Sequence, residues 1–229
     1  MDHILDNMIW NAITTGNNDI AIVDGDVGCY LPDIAPFAGM RVFNDANLKK
    51  LYDFIPVNRS VAISSLNKME HDESRWKLLQ PMDVTQMVYK QSVNTFTTKN
   101  SPLIVPLSEG HIPLMMELTA LTRPGPFLQQ TIRFKNYFGI FIEGRLAAMT
   151  GQRMHPLPYM EVSAVCTHPD FRGMGYAKAL MLHVMKIILD NSFTPFLHVL
   201  SNNINAIELY KTIGFRTRKQ IFVDMIRRL

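Results

Sequence analysis

Cysteine is scarce in this chain. The 229 residues hold only Cys29 and Cys166, far apart and with no histidine at metal-ligand spacing from either. A disulfide framework and a zinc site are therefore not expected, no metal is called for, and a reducing cytoplasm is the expected compartment. Long apolar runs are also missing. No stretch approaches the roughly 18 consecutive apolar residues of a membrane span, and Met1-Asp2-His3 opens the chain without a basic segment ahead of an apolar one, so secretion and membrane insertion are disfavoured. Charge of one sign is not in large excess. The net charge is +3, and basic residues are scattered except for Arg216, Arg218, Lys219, Arg227 and Arg228 near the C-terminus. Nucleic-acid binders concentrate Lys and Arg far more strongly, so that class is set aside. Repeats and low-complexity tracts are absent, and 47% hydrophobic with 19% charged residues is an ordinary globular balance. The fifteen methionines read as core filler.

What is present is a glycine turn between a strand and a helix. Met160 to Thr167 is apolar and β-prone, and His168-Pro-Asp-Phe-Arg-Gly-Met-Gly175 leads from it into a helical pattern over Tyr176 to Asp190. Gly173 and Gly175 clear side chains from a place where a ligand can approach backbone, and the helix that follows turns unpaired N–H groups and its positive dipole end toward that place. This is a phosphate site by construction. A P-loop is excluded because Tyr176-Ala177 stands where Lys and Ser or Thr are required. The dinucleotide fingerprint is excluded because its third glycine would fall on Lys178 and no acidic residue follows about twenty positions on.

Arg172-x-x-Gly175-x-Ala177 resembles the Arg/Gln-x-x-Gly-x-Gly/Ala signature of the GNAT superfamily of N-acetyltransferases. The likeness continues in order through the helix, an apolar strand at Phe196 to Leu200, an Asn205-Ala206-x-x-Leu209-Tyr210 segment and the Gly214-Phe215 pair. Leu121 to Phe127, Gly144 to Arg153 and Val165 to Pro169 look closest to the bacterial FR-type and glycine N-acyltransferase-like branch. The resemblance covers roughly residues 101 to 229. It implies an α/β fold whose central mixed, splayed sheet is flanked by helices, with acetyl-CoA as co-substrate and a small primary amine, such as an amino acid, as acceptor.

The first hundred residues read as a smaller α/β subdomain. Strands are expected at Asp19 to Val23 and Ser60 to Ser65, helices near Asn44 to Phe54 and Pro81 to Tyr89, and a linker at Thr95 to Pro102. The expected division is residues 1–100 and 101–229, with Ser60 to Tyr89 read as the remnant of a degenerate copy of the acetyltransferase fold. Beyond the linker, a strand at Leu103 to Leu107, a helix from Ser108, a Tyr137 to Arg153 hairpin turning at Glu143-Gly144 and a last strand at Gln220 to Ile226 complete a β-α-α-β-β-β-α-β-α-β order.

Acyl transfer from a thioester to an amine needs a neutral amine, support for the oxyanion and a proton for the departing thiolate. Glu161, eleven positions ahead of Arg172, has the offset of the glutamate base in the histone-acetylating branch. Pairing with Arg145 or Arg153 is its structural alternative. The resemblance places Tyr210 at the leaving sulfur, Asn205 on the cofactor, and Val165, Cys166 and Thr167 as strand backbone beside it. Arg172, Gly173, Met174, Gly175, Tyr176 and Ala177 form the pyrophosphate loop. Cys166 as a nucleophile and His168 as a base rank below these. Arg123, Phe127, Arg153 and Tyr159 are the acceptor-pocket candidates. An arginine there favours a carboxylate-bearing amine. A non-catalytic acyl-CoA sensor with the same fold is the rival reading, a bare scaffold a third, and a homodimer is compatible with either.

Overall fold

Among the described residues two sheets of unequal size organise the chain, and the larger carries Arg145, Glu161 and the Val165–Thr167 stretch. The computed structural model describes residues 3–90 and 102–229. In chain order the elements are α1 (Met8–Thr14), β1 (Ala21–Asp24), β2 (Val27–Tyr30), β3 (Ala38–Met40), α2 (Asp45–Phe54), β4 (Ser60–Ser65), β5 (Trp76–Tyr89), β6 (Val105–Pro106), α3 (Ile112–Thr122), β7 (Phe138–Ile142), β8 (Arg145–Gln152), β9 (Tyr159–Thr167), α4 (Tyr176–Asp190), β10 (Thr194–Leu200), α5 (Ile204–Thr212) and β11 (Phe215–Arg228). The small sheet is β1-β2-β3, and the large one runs β4-β11-β5-β10-β9-β8-β7-β6. Within the large sheet β9 and β10 are parallel, and the other named pairs are antiparallel. The sheet is mixed and splayed, as expected.

Local chemistry explains the elements around the site. Glu143 and Gly144 both take positive φ (50° and 78°), the two-residue turn that suits a twisted hairpin between β7 and β8. In α4, Leu180, Met181, Val184, Met185 and Ile188 fall at three- and four-residue spacings, and all five are buried. Burying each contributes about 1.5–3 kcal/mol. Met181, Val184, Met185 and Ile188 pack with Val162, Leu197 and Phe215, and Leu180 packs with Ile140 and Ala148. Met115 and Leu118 of α3 close the other face of the sheet with Tyr137, Ala164 and Cys166.

Three expectations are corrected. Pro81 to Tyr89 is not helical but the second half of β5, paired with β11 along its length and with β10 from Val84 to Val88. Pro81 lies outside the β10 pairing, where a missing N–H costs no ladder bond on that edge. Between β6 and β7 the chain forms one α-helix and two short 3-10 turns, Glu109–His111 and Thr131–Phe134, in place of two helices. Ser60 to Tyr89 supplies β4 and β5 of the large sheet, so the line drawn at residues 100 and 101 crosses a single sheet. The linker read at Thr95 to Pro102 lies, but for Pro102, outside the described residues.

Candidate active site

The parallel pairing of β9 with β10 runs from Tyr159–Thr194 to Glu161–Phe196 and stops there. Beyond it β10 continues to Leu200 along β5, and β9 continues to Thr167 along β8. The two strands separate, and the edge of β9 from Val162 to Thr167 faces no strand among the described residues. At the same place β9 bulges. Ser163 stands opposite Gly151 and Cys166 opposite Met149, so three steps on β9 match two on β8, and Ala164 takes φ +52°. A bulge leaves backbone groups out of the ladder and redirects them, which is how an extended ligand can add to a strand edge.

This open edge leads to the glycine turn. Gly173 and Gly175 have φ values of 79° and 78°, and a Cβ built on either would meet nothing within 4 Å. Gly175 is the N-cap of the 15-residue α4 and offers no side-chain cap, so the first amides of the helix face the turn. Arg172 and Met174 are exposed beside it, while Tyr176 packs inward near Leu180. Ahead of the turn, Arg145 holds both His168 (3.2 Å) and Asp170 (2.9 Å), and the His168 ring accepts from the Asp170 amide. His168 is thus part of the scaffold of the loop and not placed as a free base. Arg145 is engaged here and not with Glu161.

Glu161 is fully buried and saturated. Its carboxylate accepts from Arg153 Nε (2.9 Å) and Nη2 (2.8 Å), from the Met154 amide (3.2 Å) and from His198 Nδ1 (2.8 Å). Burial pushes the carboxyl pKa up, but the Arg153 charge and hydrogen bonds, with the His198 bond, outweigh it and hold the group well below the usual carboxylate range. Such a carboxylate takes up protons poorly at neutral pH. The geometry fits the structural alternative, pairing with Arg153, and not the expected general base. His198 went unnoticed in the sequence. Gln86 Nε2 donates to His198 Nε2 (3.0 Å) and to the Leu5 carbonyl (3.1 Å), which leaves the histidine proton on Nδ1, facing Glu161.

Tyr210 lies buried on α5 in the apolar cluster that also holds Val162 and, partly buried, Val165 of β9. Burial, with Cys166 adding to it, pushes its phenol up to about 12. The Cys166 thiol is also raised to about 12, chiefly by burial, which is unsuited to a nucleophile. Val165 and Thr167 are half-buried on the same stretch. Asn205 is exposed on the first turn of α5, and the cap is made instead by Asn203, whose side chain accepts from the Ala206 amide. Ala177 is half-buried in the first turn of α4.

The acceptor candidates separate. Phe127 and Arg153 line one narrow pocket with Tyr137, a residue the sequence did not single out. Arg123, exposed at the left-handed end of α3, does not line it. Neither does Tyr159, whose hydroxyl lies 3.2 Å from His3 Nε2 and whose ring meets Phe196.

Comparison with known proteins agrees with this layout. Residues 137–223 match the family described as FR47-like protein. No curated protein matches the sequence. A protein from Novosphingobium aromaticivorans assigned to the acetyltransferases of the GNAT family is 29% identical over the whole of both chains, with a TM-score of 0.91. A GNAT-family acetyltransferase from Colwellia psychrerythraea is 14% identical over 99% of this chain and 98% of its own, at 0.54. A GCN5-related N-acetyltransferase-like protein from Streptococcus suis is 14% identical over 91% and 88%, at 0.55. The last two show the fold alone. With the splayed strands, the bulge and the glycine turn in one line, the chain has the fold of the GNAT-family acetyltransferases, and residues 137–223 match the FR47-like family.

Proposed function

We propose that the protein is an acyl-CoA-dependent N-acyltransferase, with acetyl-CoA as donor and a small primary amine as acceptor. The observation that carries this reading is the alignment of the open β9 edge with the turn at Gly173 and Gly175, since a phosphate at the α4 N-terminus and an extended arm along Val162 to Thr167 are what CoA presents. Arg172 and the first α4 amides, near Tyr176 and Ala177, hold the pyrophosphate. The backbone of Val165, Cys166 and Thr167 pairs with the arm, and Asn205 lies at the rim of the cleft.

In the reaction the amine nitrogen forms a bond to the acyl carbon, the carbon–sulfur bond breaks, the ammonium proton goes to solvent and the thiolate takes a proton. Backbone N–H groups freed by the bulge at Ala164 support the oxyanion. A phenol near 12 is a weaker acid than an ordinary thiol at about 8.5, so Tyr210 stays protonated and donates a hydrogen bond to the sulfur as charge builds there. Glu161 keeps Arg153 and His198 in place and is a positioning residue. A pure acyl-CoA sensor would have no need of Tyr210. The chain is expected to be stabilised in a thermal-shift assay by acetyl-CoA and by CoA but not by NAD, and to release free thiol from acetyl-CoA when amines are supplied. Stabilisation by NAD alone overturns the assignment, and binding without thiol release across a broad amine panel favours the sensor.

A further inference from the structure

On the α3 side of the sheet, beside the bulge, lies the pocket formed by Gly125, Phe127, Tyr137, Arg153, Ser163 and Ala164. Tyr137 is 2% exposed, and its hydroxyl has no hydrogen-bond partner among the described residues. A buried hydroxyl without a partner loses its hydrogen bond to water and gains none, so its retention calls for an account. The ring is held firmly. It lies against Gly151, where a Cβ would come within 2.4 Å of it, and Phe127 meets it edge-on at 5.7 Å.

Arg153 contributes the second donor. Its Nε and Nη2 are committed to Glu161, while Nη1 is directed to the loop, 3.8 Å from where a Cβ on Gly125 would sit. The charge of Arg153 is matched by Glu161, and burial keeps the Tyr137 phenol protonated. The Ser163 carbonyl already accepts from Thr150. The two polar groups without a partner among the described residues that face the pocket, the Tyr137 hydroxyl and Arg153 Nη1, can both donate, and the pocket carries no net charge. A carboxylate would enter as an unmatched buried charge, and an ammonium would do the same beside the Arg153 guanidinium. A carbonyl oxygen satisfies both donors and adds no charge.

We propose that this pocket is the acceptor subsite, and that Tyr137 Oη and Arg153 Nη1 bind the carbonyl oxygen of an amide that flanks the amine to be acylated. This rests on the acyltransferase reading above. Ser163 and Ala164 are both pocket wall and part of the open β9 edge, so a carbonyl held here sits about one strand spacing, ~5 Å, from the donor's track. The pocket is narrow enough to suit one small group and not a ring. The acceptor class is thus an amino-acid amide or the N-terminus of a peptide, in place of the free amino acid that an arginine alone suggests.

The test compares leucinamide with leucine as acceptors, using acetyl-CoA and thiol release, for the wild type and Tyr137→Phe, after acetyl-CoA affinity is measured by calorimetry. Leucinamide is expected to exceed leucine in kcat/KM by about tenfold or more, and Tyr137→Phe to raise KM for leucinamide about tenfold while leaving acetyl-CoA affinity unchanged. A hydroxyl with only a structural role would move the melting temperature and not this KM. Leucine used as well as leucinamide, acetyl-CoA binding with transfer to neither, or an unchanged KM in Tyr137→Phe overturns the subsite. Absence of acetyl-CoA binding overturns the acyltransferase reading itself, and the subsite with it.

Discussion

His198 on β10 donates a 2.8 Å hydrogen bond to Glu161 on β9, two residues past the point where these strands cease to be paired. The bond ties the strands together at the root of the cleft, and the Arg153 pair on the far side of the carboxylate ties β9 to the end of β8. One buried charge thus fixes the geometry from which the open edge begins.

Removing that charge should act on folding before it acts on chemistry. Glu161→Gln leaves Arg153 with an unmatched buried charge, and a loss of about 3–5 kcal/mol in unfolding free energy is expected, measured by urea titration. The acid limb should change as well. The folded pKa of Glu161 is depressed, so its stabilisation is complete above the unfolded value of about 4.3 and is lost as the pH falls below it. Wild type should therefore lose stability more steeply than Glu161→Gln on going from pH 5 downward. Parallel acid limbs would remove the ion pair from the stability of the fold.

Turnover should follow a different group. With Glu161 held ionised, the rising limb of kcat/KM is expected at the pKa of the acceptor's ammonium and should shift when an amine of lower pKa is used. A limb that stays fixed across amines of different pKa would point to a base on the protein.

At the turn, Gly175→Glu should abolish CoA binding, because a carboxylate would project into the open space at the α4 N-terminus. Gly175→Ala is the control. Its methyl meets no neighbour, and only the left-handed φ of 78° penalises it, by about 1–2 kcal/mol of stability. Calorimetry that finds wild-type acetyl-CoA affinity in Gly175→Glu would dismiss this turn as the phosphate site.

Tyr210→Phe keeps the ring and its edge contact with Phe215 at 6.3 Å. Turnover should fall by about tenfold or more with acetyl-CoA affinity nearly constant, the pattern of an interaction that matters mainly in the transition state. Unaltered single-turnover rates would remove the hydroxyl from the mechanism.

Much of the second half of the fold was legible in the sequence, because its signals are local. The glycine turn, the apolar spacing of Tyr176–Asp190 and the Glu143-Gly144 hairpin each fix their element within a few residues. β5 was not legible. Its last four residues are buried, and Leu78 and Leu79 are both exposed, so alternation is hidden in the strand. The site shows the same division. Arg172 to Ala177 could be read from spacing, whereas the partnership of Glu161 with His198 spans 37 residues and exists only through strand register. A signal was present, since each is an ionisable residue flanked by apolar ones in its strand. Tyr137 gave none, because an orphaned hydroxyl is visible only when every neighbour has a place.

The position of β11 has a consequence for how the chain is made. This strand, which follows all the others in chain order among the described residues, lies between β4 and β5 and is the neighbour through which β4 joins the large sheet. During synthesis β4 and β5 leave the ribosome well before β11, and the sheet cannot close around them until β11 follows. Contacts of such sequence separation form slowly, and the exposed strand edges invite pairing with other chains in the interval. Removal of β11 therefore withdraws a strand from the interior of the sheet and not from its margin.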